Sequence, residues 1–547
     1  MKLKTEIKDS ILNDYYIKIK QNLFKKISPY MHTRAYTGEH DICFAEPEFS
    51  GKYIDICAAY YRLDEDEQAL EAAKTVAYAA VKAQRDDGYL GMYTAGNEFE
   101  GFSVWNEAFT LFGMLSYYKV AADKNILFAA EKCMNYLINE FAVRDILDAE
   151  NMGTENLIII LPAAILFEIT RDEKYSSFIE RIKCRLKESN LNLIEPSDIL
   201  QLRSRKGIEI LVAYLGLVRF ARMVGDEEII SGAKCYWEQV QKTQIRNTGG
   251  ATTFELWVKD GAEAAFLPDD VKPNENCVAV GWIELCMELF YVTRDKKYLD
   301  AAEKTLFNHL LGAVSKNYDD FSYYQSNFGR KIQGTSQNMY SCCRYRGLTL
   351  FAHMKELLYY DDGCDVIPMI YTASKFENEN VKIIQNTDYP KSGKIEFLVY
   401  PRNAAEISLK LRIPSWCRKA SAFADGKEIP RENGFFVLTQ TDGETHIRME
   451  LEMTPEYEIS EIFGTNFASV TYGPLLMASD SAYGKQCREI SFKRDETDYI
   501  VDTSCDEAIV KLAAKDYVLV DYASAGRRNP SEDEFSVWIK EYTKTRL

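Results

Sequence analysis

The stretches Phe220-Ala-Arg-Met-Val-Gly-Asp226 and Tyr291-Val-Thr-Arg-Asp295 show a pattern that recurs through the first two thirds of the chain. An aromatic or apolar segment ends, a short polar turn containing Asp follows, and a second apolar segment begins. Three further copies end at Asp66, Asp123 and Asp172. Apolar residues on both sides of each turn recur at helical spacing, so each turn predicts two amphipathic helices joined as a hairpin.

A helical hairpin that repeats about every 50 to 70 residues cannot bury its apolar face alone, so neighbouring hairpins must stack. About six such hairpins fit between residues 10 and 360. The repeat therefore predicts an (α/α)6 toroid, in which an inner ring of helices is wrapped by an outer ring.

The pattern of the sequence changes after about Gly363. Residues 395–400, 406–413 and 446–453 alternate between apolar and polar positions, and pairs such as Asn433-Gly434 mark turns between them. Alternation with period two predicts an antiparallel β-sandwich with one buried and one solvated face on each sheet. We therefore expect a catalytic toroid at 1–362, a β-sandwich at 363–480 and a β-rich extension at 481–547.

The overall composition restricts the partners and the location of the protein. A net charge of -17 argues against binding to nucleic acid or to an anionic membrane surface. No run of 18 apolar residues is present, which predicts no transmembrane helix. The charged first residues lack the apolar core of a signal peptide, so we expect a cytoplasmic protein with reduced thiols.

Four residues have the composition of a metal site. Glu275 and Cys277 stand directly before one apolar helical segment, and the adjacent pair Cys342 and Cys343 stands before another. Helix N-termini favour thiolates, and three thiolates with one carboxylate are ligands that Zn²⁺ accepts. The spacing alone also permits a plainer interpretation, in which the thiols are buried and the glutamate is exposed.

A segment rich in glycine and acidic residues, residues 249–273, predicts a long loop, and such loops are often functional. Its carboxylates include Glu255 and Glu263. Glu263 lies among alanines and a phenylalanine, so of these carboxylates it is the one we expect to be desolvated. Desolvation raises a carboxyl pKa towards the range of a general acid.

Several motifs together resemble one enzyme family. They are the turn Gln84-Arg-Asp-Asp-Gly-Tyr-Leu90, the pair Glu275 and Cys277, Tyr340-Ser-Cys-Cys343, Arg412-Ile-Pro-Ser-Trp416 and Tyr472-Gly-Pro-Leu475. Over residues 10 to about 480 the chain resembles the bacterial β-L-arabinofuranosidases of glycoside hydrolase family 127. The Glu-x-Cys and Cys-Cys combination is the specific part of this resemblance.

The resemblance implies a retaining exo-glycosidase that acts on L-arabinofuranose-like or related glycosides of small oligosaccharides. Cys342 would be the nucleophile and would hold zinc together with Glu275, Cys277 and Cys343. Glu263 would be the acid/base, with Glu255 as the second candidate.

The sequence departs from the family where histidines are expected to line the sugar site. The corresponding positions, which we expect to bind substrate, are Trp105, Asn106, Glu155, Asn156, Arg205 and Lys206. The sugar preference is therefore open. Two alternatives also stay open: a non-catalytic, zinc-stabilised sugar-binding toroid, and a sugar epimerase or lyase on the same scaffold. A homodimer is possible.

Overall fold

The structure, a computed structural model, describes residues 4–37, 46–149, 153–259, 272–334, 341–402, 407–440, 443–462, 465–484, 490–492 and 498–541. The helices are α1 (Ile11–Asn22), α2 (Pro29–Thr33), α3 (Glu46–Asp64), α4 (Glu67–Ala83), α5 (Ser103–Ala121), α6 (Lys124–Glu140), α7 (Ile160–Thr170), α8 (Glu173–Lys187), α9 (Gly207–Val224), α10 (Glu227–Thr243), α11 (Asn276–Thr293), α12 (Lys296–Lys304), α13 (Leu311–Ala313) and α14 (Cys342–Ala352).

All five predicted Asp turns join two helices, and each has the same two-residue construction. The first turn residue ends one helix with a left-handed backbone, at φ values of 52° to 76°. The Asp that follows caps the next helix by accepting a hydrogen bond from a backbone N–H two or three residues later. Such a cap satisfies donors that the first helical turn leaves unpaired, which explains why Asp recurs at this position.

The helices form two rings. Helices α3, α5, α7, α9, α11 and α14 contact one another in that order, and α14 closes the ring by packing against α3. Helices α4, α6, α8, α10 and α12 lie outside them, and α1 packs on α14 as the sixth outer helix. The predicted (α/α)6 toroid is therefore confirmed. Helix α11 is long and apolar enough to cross a membrane, but it is largely buried in the inner ring, which accounts for its composition.

The strands are β1 (Lys4–Ile7), β2 (Phe328–Arg330), β3 (Tyr359–Asp361), β4 (Asp365–Pro368), β5 (Ser374–Glu377), β6 (Val381–Thr387), β7 (Lys394–Pro401), β8 (Ile407–Arg412), β9 (Ala420–Ala424), β10 (Lys427–Glu428), β11 (Arg431–Glu432), β12 (Phe435–Gln440), β13 (Thr445–Leu451), β14 (Pro455–Ile462), β15 (Thr465–Tyr472), β16 (Leu475–Asp480), β17 (Ser491–Phe492), β18 (Ile500–Asp502), β19 (Lys511–Ala513), β20 (Val518–Asp521), β21 (Glu534–Ser536) and β22 (Ile539–Glu541).

Two sheets form the sandwich that the alternation predicts. One has the strand order β1-β5-β6-β7-β13-β9-β10 and the other β11-β12-β8-β4-β3. Buried and exposed positions alternate along β7 and β13, so each sheet has one face in the core. The pairs are antiparallel except β4 with β8, which is parallel. Strand β1 pairs with β5, so residues 4–7 belong to the sandwich and not to the toroid.

A third sheet contains β14 to β22 together with β2 from the toroid segment. It runs across residues 480 and 481, because β16 pairs with β20 and β21. The division predicted at that point therefore falls inside one sheet. The sandwich is tied to the toroid by Arg412, which is fully buried and pairs with Asp300 and Glu303 of α12 at 2.5 Å each.

Candidate active site

The four predicted metal ligands meet where two inner helices begin. Glu275 and Cys277 lie at the start of α11, and Cys342 and Cys343 form the first residues of α14. Their ligand atoms all lie within 4.8 Å of one another. The Sγ atoms of Cys277 and Cys343 are 3.2 Å apart.

This cluster fits a metal ion by its chemistry. Its side chains are buried except for that of Cys342, which is partly exposed. The Oε2 atom of Glu275 is buried and has no hydrogen-bond partner among the described residues. A buried carboxylate oxygen without a partner is costly, and a cation held by the thiols would satisfy it. One carboxylate and three thiolates at this spacing match a tetrahedral zinc site.

The charges of the cluster are unequal. Hydrogen bonds from Cys277 and Cys343 hold the pKa of the Cys342 thiol well below its ordinary value. Burial raises the pKa of the Cys277 and Cys343 thiols. Burial also raises the pKa of Glu275, and the negative charges of Glu255 and Cys342 add to that rise. Without a cation, negative charge therefore concentrates on Cys342, the sulfur nearest to solvent.

A cavity of about 150 Å³ opens directly above the cluster, in the middle of the ring. Cys342 lines it, whereas Cys343 is fully buried and does not. Phe102, Trp105 and Phe109 of the α5 region form an apolar wall. The volume equals about five liquid water molecules, so the cavity has room for one small sugar unit.

Glu255 lies in the same cavity, on the loop that the sequence marked as functional. Its carboxylate forms an ion pair with Lys206 and accepts hydrogen bonds from the hydroxyls of Tyr323 at 2.7 Å and Tyr324 at 2.9 Å. The Tyr323 hydroxyl also lies 3.3 Å from the Cys342 Sγ. One hydroxyl thus contacts both the thiol and the carboxylate.

The backbone that presents Glu255 is a tight turn. Thr253 and Leu256 exchange both backbone hydrogen bonds, at 3.1 Å each, around Phe254 and Glu255. The two central residues have φ values of 49° and 69°, as in a type I′ turn. Such turns favour Asn and Gly, so Phe and Glu hold this geometry at a cost of about 1 to 3 kcal/mol per residue.

The electrostatics of Lys206 follow from this pair. Burial lowers the pKa of the Lys206 ammonium, but the hydrogen bond from Lys206 to Glu255 and the charge of that carboxylate raise it more, so the net pKa is above its ordinary value. Lys206 therefore stays charged and neutralises Glu255 within the cavity.

The structure brings only some of the predicted substrate-binding residues to the cavity. Trp105 and Lys206 line it. The side chain of Asn106 instead accepts a hydrogen bond from the backbone N–H of Glu48, and that of Asn156 donates one to the backbone carbonyl of Ile146. Arg205 is exposed.

Glu155 does not line the described cavity, and the prediction for Glu263 falls outside the described residues. Glu155 is buried within the short helix Glu155–Ile159. Glu263 lies in residues 260–271, outside the described part of the chain. Glu255, the second candidate for the acid/base, lines the described cavity.

Several cavity residues were not found from the sequence. Glu48 and Lys52 form a buried ion pair one helical turn apart on α3, and the Lys52 ammonium lies 4.3 Å from the centre of the Phe109 ring. A Glu and a Lys four residues apart on an otherwise buried helix are a signal that sequence reading could have used. Tyr323 carries no comparable signal, because it follows no periodic pattern.

Comparison with known proteins identifies one family. Residues 10–356 match the family model described as Beta-L-arabinofuranosidase, GH127 catalytic domain, and residues 365–453 match the GH127 middle domain. A curated relative, the non-reducing end beta-L-arabinofuranosidase of Bifidobacterium longum subsp. longum, is 25% identical over 280 residues. That alignment covers 46% of this chain and 42% of the relative, less than half of each.

Solved structures share the fold over nearly the whole chain. A GH127 beta-L-arabinofuranosidase from Geobacillus stearothermophilus T6 superimposes with a TM-score of 0.83 at 18% identity, covering 98% of this chain and 100% of that one. A second GH127 beta-arabinofuranosidase gives a TM-score of 0.83 at 16% identity, covering 98% and 97%. The catalytic-domain model alone matches more than half of the sequence, and the chain belongs to glycoside hydrolase family 127, the beta-L-arabinofuranosidase family.

Proposed function

We propose that this protein is a retaining exo-glycosidase that releases an L-arabinofuranose-like sugar from small glycosides or oligosaccharides. The observation that carries the proposal is the Tyr323 hydroxyl, which contacts Cys342 Sγ at 3.3 Å and Glu255 Oε1 at 2.7 Å. These two contacts keep the sulfur and the carboxylate oxygen no more than about 6 Å apart, which is shorter than the roughly 6.5 to 9.5 Å of an inverting glycosidase and compatible with the about 5 to 5.5 Å of a retaining one.

In the first step, the Cys342 sulfur attacks the anomeric carbon and a C–S bond forms. Glu255 must enter this step protonated, so it first takes up a proton from solvent and is no longer a carboxylate paired with Lys206. The bond from the anomeric carbon to the leaving oxygen then breaks, and Glu255 gives this proton to that oxygen. In the second step, Glu255 takes a proton from water, the water oxygen attacks the same carbon, and the C–S bond breaks. Two inversions at one carbon retain its configuration.

Zn²⁺ is the metal that we propose for the cluster, held by Glu275, Cys277, Cys342 and Cys343. When bound, it would keep the thiols deprotonated at neutral pH and fix their orientation. The chain's own contribution is to bury Cys343 beneath the cavity and to leave Cys342 facing it.

The size of the cavity supports exo action on one terminal sugar unit. It is small, and Phe109, Val212 and Arg346 are among the residues that line it. The Arg346 guanidinium pairs with Glu284 on α11, and Lys52 pairs with Glu48. Because these cations already have acidic partners, the cavity suits a neutral sugar better than an acidic one.

Glu255 replaces Glu263 as our first candidate for the acid/base. The described cavity contains Glu255, with its carboxylate held by three side chains. Glu263, the first candidate from the sequence, is now the alternative. Replacing each glutamate by glutamine in a separate variant distinguishes the two candidates.

The test is hydrolysis of a panel of aryl glycosides, furanosides and pyranosides, followed by NMR to identify the anomer first released. We expect the best turnover on β-L-arabinofuranosides, with the β-anomer as the first product. Sugar binding by calorimetry without hydrolysis would favour the non-catalytic toroid, and an isomerised free sugar would favour an epimerase. The cytoplasmic location and the homodimer stay predictions.

A further inference from the structure

We propose that Arg246 is a positioning residue, whose guanidinium clamps the strained turn bearing Glu255 onto the segment bearing Glu275. The proposal rests on the proposed function for its kinetic consequence. Arg246 lies outside the cavity and touches neither Glu255 nor the cluster in any described contact, so its effect would act through the backbone of both segments.

The turn needs an external support. Thr252, Phe254 and Glu255 have φ values of 74°, 49° and 69°, and none of them is glycine. Lys272 and Asn274, on the facing segment, have φ values of 48° and 56°. Left-handed backbone at residues with a Cβ persists only where surrounding contacts enforce it.

Backbone hydrogen bonds join the two segments. Ala251 and Thr252 accept from the N–H groups of Glu275 and Asn274, at 3.2 and 3.1 Å, and Phe254 donates to the carbonyl of Lys272 at 3.2 Å. The turn is also tied to the segment of Lys206, because Gly207 donates to the carbonyl of Glu255 at 2.9 Å. The position of the Glu255 carboxylate thus depends on three segments that are distant in sequence.

Arg246 fixes two of these segments with one planar group. Its Nη1 donates to the side-chain oxygen of Asn274 and its Nη2 to the hydroxyl of Thr253, each at 2.8 Å. Arg246 is 2% exposed, Asn274 is 0% and Thr253 is 7% exposed, so water does not compete strongly for these bonds. The rigid fork of a guanidinium sets the spacing between its two acceptors, which the single ammonium of lysine cannot do.

Asn274 extends the clamp to the segment that follows Tyr323 and Tyr324. Its side-chain nitrogen donates to the carbonyl of Gln325 at 2.7 Å and to the side-chain oxygen of Asn327 at 3.0 Å. Gln325 follows Tyr323 and Tyr324, whose hydroxyls hold Glu255. Arg246 therefore orders both the backbone under Glu255 and the chain that supplies its hydrogen-bond partners.

The kinetic consequence is selective. A displaced Glu255 transfers its proton poorly, so glycosides with poor leaving groups lose most, while dinitrophenyl glycosides need little protonation and lose least. We expect Arg246→Met and Thr253→Val to lower kcat/KM for phenyl glycosides about 10- to 100-fold. The same variants should change kcat/KM for dinitrophenyl glycosides far less, and Arg246→Lys should not restore activity on phenyl glycosides.

The experiment measures both substrates, the zinc content, and backbone hydrogen exchange across residues 247–259 for each variant. Arg412→Met is the matched control, because Arg412 is a fully buried arginine that joins the sandwich to the toroid. It should lower Tm without changing the ratio between the two substrates. Thr253→Val removes one acceptor at nearly constant volume and leaves all four predicted zinc ligands in place, so it tests the clamp even where Arg246→Met folds poorly.

Faster exchange in residues 247–259 of Thr253→Val, with a raised dependence on the leaving group and unchanged zinc content, supports the clamp. An equal loss on both substrates, or exchange identical to that of the wild type, overturns it. If the wild type hydrolyses no glycoside, the proposed function fails, and the exchange measurement alone then decides whether Arg246 holds the turn.

Discussion

The two ends of the helical ring are built in opposite ways. At the end where inner helices finish, two-residue turns with one left-handed residue and one Asp cap join them to their outer partners. At the end where inner helices start, the connections are long, as in residues 84–102, 188–206 and 244–275. The cluster, the cavity and the strained turn of Glu255 all lie at this second end.

The two ends differ in whether adjacent residues or residues distant in sequence determine the local structure. Each short turn is determined by a few adjacent residues, and the same solution recurs five times. The long connections take their shape from contacts between segments far apart in sequence, such as the pairing of Glu255 with Lys206 and Tyr323. Substitutions that break contacts between distant segments at the long-connection end should therefore change catalysis, and loss of a cap at the short-turn end should change stability alone.

The largest effect is expected from Cys342→Ser. A serine hydroxyl at this position is far less ionised than a thiol and a weaker nucleophile, so kcat should fall by at least about 10³-fold. The control is Cys184→Ser, an exposed cysteine on the outer helix α8. Assay of both proteins on one aryl glycoside checks the prediction, and residual activity above a tenth of wild type in Cys342→Ser would contradict it.

Glu255→Gln should lower kcat/KM on a phenyl glycoside by about 10² to 10⁴-fold, because the amide cannot donate the proton. On a dinitrophenyl glycoside the loss should be smaller. Glu263→Gln is the paired variant, and measurement of both substrates on both proteins separates the candidates. If Glu263→Gln shows the selective loss and Glu255→Gln does not, the acid/base assignment moves to Glu263.

At the opposite end, His353→Gln should affect stability with a defined pH dependence. Burial lowers the pKa of His353, but the charges of Asp55 and Glu356 raise it more, to about 10, and Arg62 also contacts this network. A raised folded pKa stabilises the protein fully below the unfolded value near 6.5, and this contribution disappears as pH rises through about 10.

At pH 6, His353→Gln leaves the buried Asp55 without its cation, so we expect about 3 kcal/mol of destabilisation. The gap between variant and wild type should narrow from about pH 6.5 to about pH 10, as measured by chemical denaturation across that range. A gap that stays constant over this range would show that the ion pair is not its source.

A smaller loss of stability is expected from a substitution at a single short turn. Asp295→Ala removes the cap that accepts from the N–H of Lys297 at 3.0 Å, which should cost about 1 kcal/mol of unfolding free energy. The kcat should not change, because α12 lies in the outer ring. Asp295→Asn serves as the conservative control, since asparagine caps about as well. A fall in kcat for Asp295→Ala would mean that the two ends are coupled.

The smallest expected effect is a gain in stability. Phe254 is half exposed and holds φ at 49° in the turn, where Asn is better suited. Phe254→Asn should therefore raise the unfolding free energy by about 0.5 kcal/mol without loss of activity. Thermal denaturation with a parallel activity assay measures both, and destabilisation would show that packing of the Phe254 ring outweighs the backbone strain.

The toroid and the cluster could be predicted because their signals are local. The Asp caps and helical periodicity define the hairpins, and Glu275, Cys277, Cys342 and Cys343 stand at two helix starts that a closed ring brings together. The third sheet could not be predicted in the same way. Its strands are short, and its pairings are distant, as between β2 and β21.

The cavity walls were predicted only in part. Trp105 and Lys206 line the cavity, but Asn106 and Asn156 are used in hydrogen bonds to the backbone. Periodicity locates a side chain on a helix face but does not say which neighbour takes its hydrogen bonds. The choice of Glu263 over Glu255 came from local desolvation, whereas the place of Glu255 depends on a turn that distant segments hold in shape.

Trapping the covalent intermediate tests the central proposal most directly. Glu255→Gln protein is mixed with a dinitrophenyl β-L-arabinofuranoside, so that the first step proceeds and the second, which needs a base, is slow. The digested protein is then mapped by mass spectrometry. The proposed mechanism predicts one pentosyl group on Cys342 and none in Cys342→Ser, whereas a pentosyl group on a carboxylate such as Glu263, or release of sugar without any adduct, would contradict it.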